Sequence, residues 1–268
     1  MLSVVTVAYR SRGIITGLLD SIAAHPPAGG VPETVVVDNA SGDGLGDLIA
    51  ERYPWARFLP LPRNVGMGAG LNAGVKVCSG DGLVLVNPDV VFTPGALAGF
   101  EARRAAEAAG RFPFGRPVIV GPRLLNGDGS LQLSAGYFPN LLRILAGQLR
   151  PRAVRKYEPL PTDRPRLTDW ATGACLYVGR RVFEDLGGFD ERYFLYYEET
   201  DLCRRARRRG VRTLYDPRIT CFHLHPLQDR PVIPLVAGFV RESRRRYFAG
   251  HCGPLESAAL RIVERLGP

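Results

Sequence analysis

Apolar and polar positions alternate in blocks along the first half of the chain. LSVVTVA (2–8), TVVVD (34–38), ARFLPL (56–61), LVLVN (83–87) and PVIVG (117–121) are short apolar runs, most of them nearly continuous Val, Leu and Ile. Such runs suit strands buried on both faces, as in a parallel sheet. Between them lie segments with an apolar period near 3.6: GIITGLLDSIAAH (13–25), GLGDLIAERY (44–53), GAGLNAGVKVC (68–78) and PGALAGFEARRAAEAAG (94–110). The last carries proline at its start and glycine at its end, as helices do. Strand and helix alternating in this way predict an α/β fold with a mostly parallel, Rossmann-like sheet flanked by helices.

After residue 122 the rhythm changes. Residues 123–167 hold the turn NGDGS (126–130), a short apolar helix around LLRILAGQL (141–149) and a basic, proline-rich passage, RPRAVRKYEPLPTDRPR (150–166). This pattern predicts a loop-rich insertion or flap and not a second domain. A strand around DWATGACLYVG (169–179) restores order, followed by a helix near 198–209 and strands at 211–215 and 218–223. Residues 1–225 thus read as one domain. Two helices, near 233–249 and 254–266, form a C-terminal extension over 226–268.

With 46% hydrophobic and 23% charged residues, the 268-residue chain can bury a sizeable core. Its net charge of +9 favours anionic partners, among them nucleic acid, anionic lipid and phosphorylated small molecules. No nucleic-acid-binding motif or interleaving of aromatics accompanies the charge, so nucleic acid is not expected. The cysteines at 78, 175, 203, 221 and 252 form no CxxC pair, which argues against a zinc knuckle or a disulfide framework and suits a reducing compartment. No signal peptide is expected in MLSVVTVAYRS, and no apolar run approaches the ~20 residues that span a bilayer. The expected location is cytoplasmic.

In an open parallel sheet, ligands bind beyond the carboxyl ends of the strands. The first strand ends with Thr6, Ala8 and Tyr9, the second with Asp38 and Asn39, and the fourth with Asn87, Pro88 and Asp89. Gly68-x-Gly70-x-x-Ala73 formally matches a dinucleotide fingerprint, but it does not follow a first strand directly. These glycines instead suit a helix start that approaches a nucleotide or the sheet closely, with Arg63 and Asn64 nearby. The stretch YFLYYEETDLCRRARRRG (193–210) sets Glu198, Glu199 and Asp201 in a first helical turn and arginines in the last. That arrangement alone describes a helix stabilised by its dipole.

The ordered series VVTVAYRS, VVVDNASGDG, RNVGMGAGLNAG, NPDV, TGACLYVGR, GGFDE, FLYYEETDLCRR and ITCFHLH resembles the family-2 glycosyltransferases of the GT-A fold, over roughly residues 2–225. NPDV and FLYYEETDLCRR are most similar to a bacterial rhamnosyltransferase-like branch. The resemblance implies that Thr6, Ala8, Tyr9, Asp38, Asn39, Arg63, Asn64, Gly66 and Asn72 bind the nucleotide sugar, with Asn87, Pro88 and Asp89 at its diphosphate. It implies Asp89 and His223 as ligands of a divalent cation, Mg2+ or Mn2+. Trp170, Gly173, Gly188, Phe189 and Asp190 are assigned to the acceptor side, and Glu199 to the catalytic base, with Glu198 and Asp201 flanking it.

The implied activity is inverting transfer of a sugar, with deoxythymidine-diphosphate rhamnose as the donor. The acceptor is a hydroxyl of a glycan or polyprenyl-diphosphate-linked acceptor in cell-envelope polysaccharide synthesis. Two departures stand beside it. Asn87 replaces an anionic metal ligand, and hard cations prefer carboxylate oxygens. A weakly bound cation, or a degenerate glycosyltransferase that only binds nucleotide or glycan, therefore remains open. Glu stands where the family more often has Asp, which leaves Glu198 and Glu199 as alternatives for the base. The basic residues Arg150, Arg152, Arg155, Lys156, Arg164 and Arg166, with Arg241, Arg244, Arg245 and Arg246, suit peripheral contact with the inner face of the cell membrane. LLRILAGQL would then be an interfacial helix.

Overall fold

The computed structural model describes residues 1–148, 156–159, 161, 163–225 and 234–266. Its strands are β1 (Leu2–Ala8), β2 (Glu33–Asp38), β3 (Arg57–Pro60), β4 (Gly82–Val86), β5 (Val90–Phe92), β6 (Val118–Leu125), β7 (Leu131–Gln132), β8 (Ala135–Gly136), β9 (Arg166–Thr168), β10 (Trp170–Ala171), β11 (Cys175–Gly179) and β12 (Arg212–His223). One sheet runs in the order β3-β2-β1-β4-β11-β6-β12-β5, with β7 beside β6 and β9 beside β12. β1, β2, β3 and β4 are mutually parallel. β11 is antiparallel to both β4 and β6, and β12 is parallel to β6. β4, β6 and β12 therefore point the same way, and their carboxyl ends share an edge with those of β1 and β2.

The helices are α1 (Ile15–Ala24), α2 (Leu45–Arg52), α3 (Met67–Val77), α4 (Ala96–Ala108), α5 (Leu141–Gln148), α6 (Arg180–Asp185), α7 (Glu198–Arg208), α8 (Pro234–His251) and α9 (Pro254–Leu266). Side chains alternate across each strand, so the sheet feeds two cores. Val4 and Ala8 enter a cluster with Leu18, Leu19, Ile49 and Phe100 from α1, α2 and α4. Val5 and Val7 enter the opposite one, with Leu71 and Val75 of α3 and Leu202 of α7. In α3 the glycines face the sheet: a Cβ on Gly74 would collide with Val5 and lie 2.9 Å from Val37, and one on Gly70 would lie 2.9 Å from Val7. The glycine pattern thus serves close packing of helix on strand.

Several elements differ from the sequence pattern. The strand expected at 169–179 is split into β10 and β11 around Thr172–Ala174. The strands expected at 211–215 and 218–223 are one, β12, with a register shift between Asp216 and Thr220, where Pro217 supplies no N–H. β5, β7, β8, β9 and α6 are too short to produce a readable period. Arg150, Arg152 and Arg155 lie outside the described residues.

The C-terminal helices pack onto the sheet-bearing part of the chain. Tyr247 and Phe248 of α8 are fully buried with Tyr193 and with Leu260 of α9. Ser243 Oγ donates to the Leu195 carbonyl at 2.9 Å, and the Phe194 and Phe239 rings meet at 4.5 Å. α8 therefore braces the loop that leads into α7.

Gly74→Ala should lose about 1–3 kcal/mol through overpacking against Val5 and Val37, read as a fall of several degrees in Tm. Gly238→Ala in α8 is the control, because its Cβ would meet nothing within 4 Å. Its Tm should hold or rise.

Candidate active site

Backbone pairing assembles the site. Ala8 pairs with Asp38, and Thr6 with Val86, so Asp38 and Asn87 stand on the same edge. At a strand spacing near 4.8 Å they are about 10 Å apart. β5 turns back from the Asn87-Pro88-Asp89 tip and runs antiparallel to β12, with Val90 opposite His223. Leu224 N donates to the Asp89 carbonyl at 3.0 Å, which fixes the tip on the end of β12. His223 Nε2 then lies 3.3 Å from Asp89 Oδ1, with both side chains largely buried.

The histidine is oriented from behind. Its Nδ1 faces Gln132 Oε1 at 2.7 Å, and Gln132 Nε2 donates to Asn126 Oδ1 at 2.8 Å. With its amide nitrogen so used, Gln132 presents its oxygen as an acceptor to Nδ1, and the other ring nitrogen, Nε2, is the one turned to Asp89.

The acidic helix begins in strained backbone. Tyr196 and Tyr197 both have left-handed φ, 68° and 69°, which is uncommon outside glycine. The turn directs both rings into a cavity and starts α7 at Glu198. Glu198 and Glu199 are each 6% exposed, but they face different neighbours. Glu198 packs under α3, where a Cβ on Gly68 would lie 3.4 Å from its Cβ. Its Oε2 has no hydrogen-bond partner among the described residues. Glu199 lies against Gly173 and lines the cavity. Burial, reinforced by the Glu199 charge, pushes the Glu198 carboxyl up to about 8. Burial also raises Glu199, against the pull of the Lys156 ammonium and of N–H groups at the helix start. Desolvation therefore outweighs the helix dipole here.

The cavity measures about 1120 Å³ and is lined by Asn87, Asp89, His223, Glu199, Thr172 and Trp170, among others. Lys156 also lines it, its ammonium 5.3 Å from the Tyr157 ring centroid, 5.5 Å from Trp170 and 5.9 Å from Tyr196. Trp170 is held by its Nε1, which donates to the Tyr137 carbonyl at 2.9 Å.

Other expected residues have different surroundings. Asp201 does not line the cavity, because Arg205 holds one carboxylate oxygen at 2.7 Å and His251 the other at 2.6 Å. Thr6 is fully buried inside the sheet, on the side of Val4 and Ala8, and so does not reach its edge. Asn39 accepts from Val65 N and donates to the Gly66 carbonyl, bracing the loop before α3, while Asn64 accepts from Gly66 N. Gly66 itself packs against Phe194, whose carbonyl accepts from Met67 N at 2.9 Å. Asn72 is bonded to both backbone groups of Phe189, and Phe189 is buried against Phe183. Gly188, with φ +69°, leaves room for Asn72, and Asp190 pairs with Arg192 at 2.6 Å. The GGFDE turn is thereby a clamp on α3, and none of its residues lines the cavity. Tyr9 and Arg63 are exposed beside the edge, and Asp38 accepts from Ser41 N at 3.1 Å. Gln132, Tyr196 and the cavity position of Lys156 were not legible beforehand. Gln132 sits in a two-residue strand, and Lys156 in a basic run that gives no direction.

The profile described as Glycosyl transferase family 2 matches residues 3–108. The chain is 33% identical over 245 residues to an N-acetylglucosaminyl-diphospho-decaprenol L-rhamnosyltransferase of Mycobacterium tuberculosis, covering 83% of this chain and 76% of that one. Among solved structures it is similar to GalNAc-T7 with UDP, GalNAc and Mn2+, with a TM-score of 0.65, 14% identity and coverage of 94% of this chain and 51% of that chain. The mannosyltransferase PcManGT of Pyrobaculum calidifontis, in complex with GDP-Man and Mn2+, gives a TM-score of 0.56 at 16% identity, covering 99% of this chain and 79% of that one. The fold is GT-A, and the protein is a nucleotide-sugar-dependent glycosyltransferase. The chain belongs to glycosyltransferase family 2.

Between the ordinary carboxylate range and about 8, folded Glu198 keeps a proton that the unfolded chain releases. Stability contributed by this group is therefore lost as pH rises through that window. Glu198→Gln should be about as stable as the parent near pH 5 and have the higher Tm near pH 8. Thermal unfolding at both pH values checks this, and parallel declines in both proteins would contradict a neutral buried Glu198.

Proposed function

We propose that the protein moves a sugar, rhamnose, from deoxythymidine diphosphate to a hydroxyl of a polyprenyl-diphosphate-linked acceptor, with inversion at the anomeric carbon. One observation carries this reading: Glu199, Asp89 and His223, remote in sequence, line one cavity beside the nucleotide edge of the sheet. The rhamnosyltransferase relative supports the donor and acceptor classes. Glu199 is the base. It takes the acceptor proton as the hydroxyl oxygen bonds to the anomeric carbon and the nucleoside diphosphate departs from the opposite face. Its raised pKa suits proton uptake, and the Lys156 ammonium opposes that rise. Asp38, Tyr9 and Arg63 hold the nucleoside end, so that the reacting carbon is fixed toward Glu199.

The donor set at the diphosphate fits a divalent cation. Asp89 would offer a carboxylate oxygen and His223 its Nε2, the ring being oriented by the Gln132 contact at Nδ1. Mn2+ accepts both ligand types. Among the described residues no group of three or more His, Cys, Asp or Glu is placed to hold a metal ion, so the diphosphate oxygens would complete the coordination. When bound, the cation would neutralise charge on the leaving diphosphate. Asn87 lines the same wall and adds a neutral amide in place of a carboxylate. Among the described residues no helix is long and apolar enough to cross a membrane. Exposed Leu142, Leu235, Leu255 and Ile262 on α5, α8 and α9 support peripheral membrane contact.

Glu199→Gln should lower transfer by about 10²–10⁴-fold while deoxythymidine diphosphate still raises Tm. Asp89→Ala should abolish the extra Tm shift that Mn2+ adds to nucleotide binding. Thermal shift and product formation read the two variants. Transfer unchanged in Glu199→Gln would remove Glu199 as the base. Membrane contact predicts sedimentation with anionic vesicles at low salt that weakens in Leu142→Ser/Leu255→Ser. Identical sedimentation of parent and variant would remove these leucines from the contact.

A further inference from the structure

Much of the cavity wall has no counterpart in the chemistry derived so far. α5, α8 and α9 line it with apolar side chains, among them Ile144, Val240 and Val263. Arg143 precedes Ile144 on α5, and Arg241 follows Val240 on α8, so each guanidinium borders an apolar face. Both line the same cavity, together with Lys156. Besides Asp89 and Glu199, the acids that line the cavity are already paired with other arginines. Glu158 meets Arg166 at 3.0 Å, and Glu264 meets Arg244 at 2.5 Å and Arg245 at 2.6 Å. Among the described residues Arg143 and Arg241 form no salt bridge with a carboxylate, and Arg143 rests over the Tyr137 ring at 4.2 Å.

Two arginines without a paired acid, and Lys156, whose neighbouring carboxyl is Glu199, border an apolar wall and ask for a ligand with two distinct parts. One part must be multiply anionic, because arginine and lysine gain most from phosphate oxygens. The other must be hydrocarbon, because Ile144, Val240 and Val263 offer nothing polar to a sugar or a nucleobase. A free nucleotide or oligosaccharide satisfies at most the first condition. An isoprenoid diphosphate satisfies both. Glu199 opens on the same cavity, so a sugar carried on that diphosphate can present its hydroxyl to the base.

We propose that the diphosphate of the lipid-linked acceptor is held by Arg143, Lys156 and Arg241, and that its first isoprenyl units lie in the groove against Ile144, Val240 and Val263. This rests on the reading of the protein as a transferase with a lipid-linked acceptor. The site selects the acceptor by its lipid diphosphate as well as by its sugar.

The test is calorimetry on the whole protein saturated with deoxythymidine diphosphate and Mn2+, so that the donor site is filled. Farnesyl diphosphate, isopentenyl diphosphate and inorganic diphosphate are the probes. Farnesyl diphosphate should bind at least tenfold more tightly than isopentenyl diphosphate, with inorganic diphosphate weakest. Arg143→Gln/Arg241→Gln should weaken farnesyl diphosphate by about a hundredfold, about tenfold for each charge-assisted contact. Val240→Asn should erase the preference for the longer tail with little change in Tm. Equal affinity for all three probes, or unchanged affinity in the double arginine variant, overturns the proposal. The Tm shift from deoxythymidine diphosphate separates the two readings. If it is present and tail preference is absent, the lipid site falls and the transferase stands. If it is absent and farnesyl diphosphate binding depends on Arg143, Arg241 and Val240, the donor assignment falls and the lipid site stands.

Discussion

The pairing of β12 is the constraint on which the site depends. Its parallel alignment with β6 sends His223 to the edge where β1, β2 and β4 end, and its antiparallel pairing with β5 draws Asp89 alongside. Backbone hydrogen bonds fix both registers, so the 3.3 Å approach of His223 to Asp89 needs no attraction between the side chains. A slip of one residue would turn His223 to the other face of the sheet. The Gln132 contact depends on the same frame, because β7 is paired to β6.

A second constraint is the burial of two adjacent carboxyls at the start of α7. Successive helical residues point about 100° apart, so Glu198 goes under α3 and Glu199 into the cavity. The arrangement is costly, since burial and mutual repulsion keep the two adjacent carboxyls from ionising together. It is held by the left-handed Tyr196 and Tyr197, by the α8 contacts at Leu195 and Phe194, and by the Arg205 and His251 grip on Asp201. The residues that flank Glu199 in sequence are thus a support for it. The C-terminal helices do two things at once: they brace this turn and wall the cavity.

Much of the expected site turned out to be its scaffold. Asn39, Asn72, Gly188 and Phe189 occupy motif positions, and their hydrogen bonds and packing lock the α3 start to the β2 end and to the turn before α7. Motif spacing marks such residues as strongly as those that touch a ligand, because both keep the same geometry. Thr6 shows the limit differently. A residue two positions short of a strand end can face the edge or the core, and only the strand's alternation settles it.

By itself the sequence determined the alternation of β1–α1 through β4, the sheet edge at Asp38 and Asp89, and the acidic start of α7. Continuous Val and Leu runs, a 3.6-residue period and turn residues are local signals, and they survive without knowledge of neighbours. Only the tertiary structure turned Glu198 under α3 and Glu199 into the cavity, gave His223 its Gln132 support, and set Lys156 among three aromatic rings. It also joined α5, α8 and α9 to one cavity. These outcomes depend on which strands pair and which helix faces meet, and such contacts span distances along the chain over which no local pattern carries information.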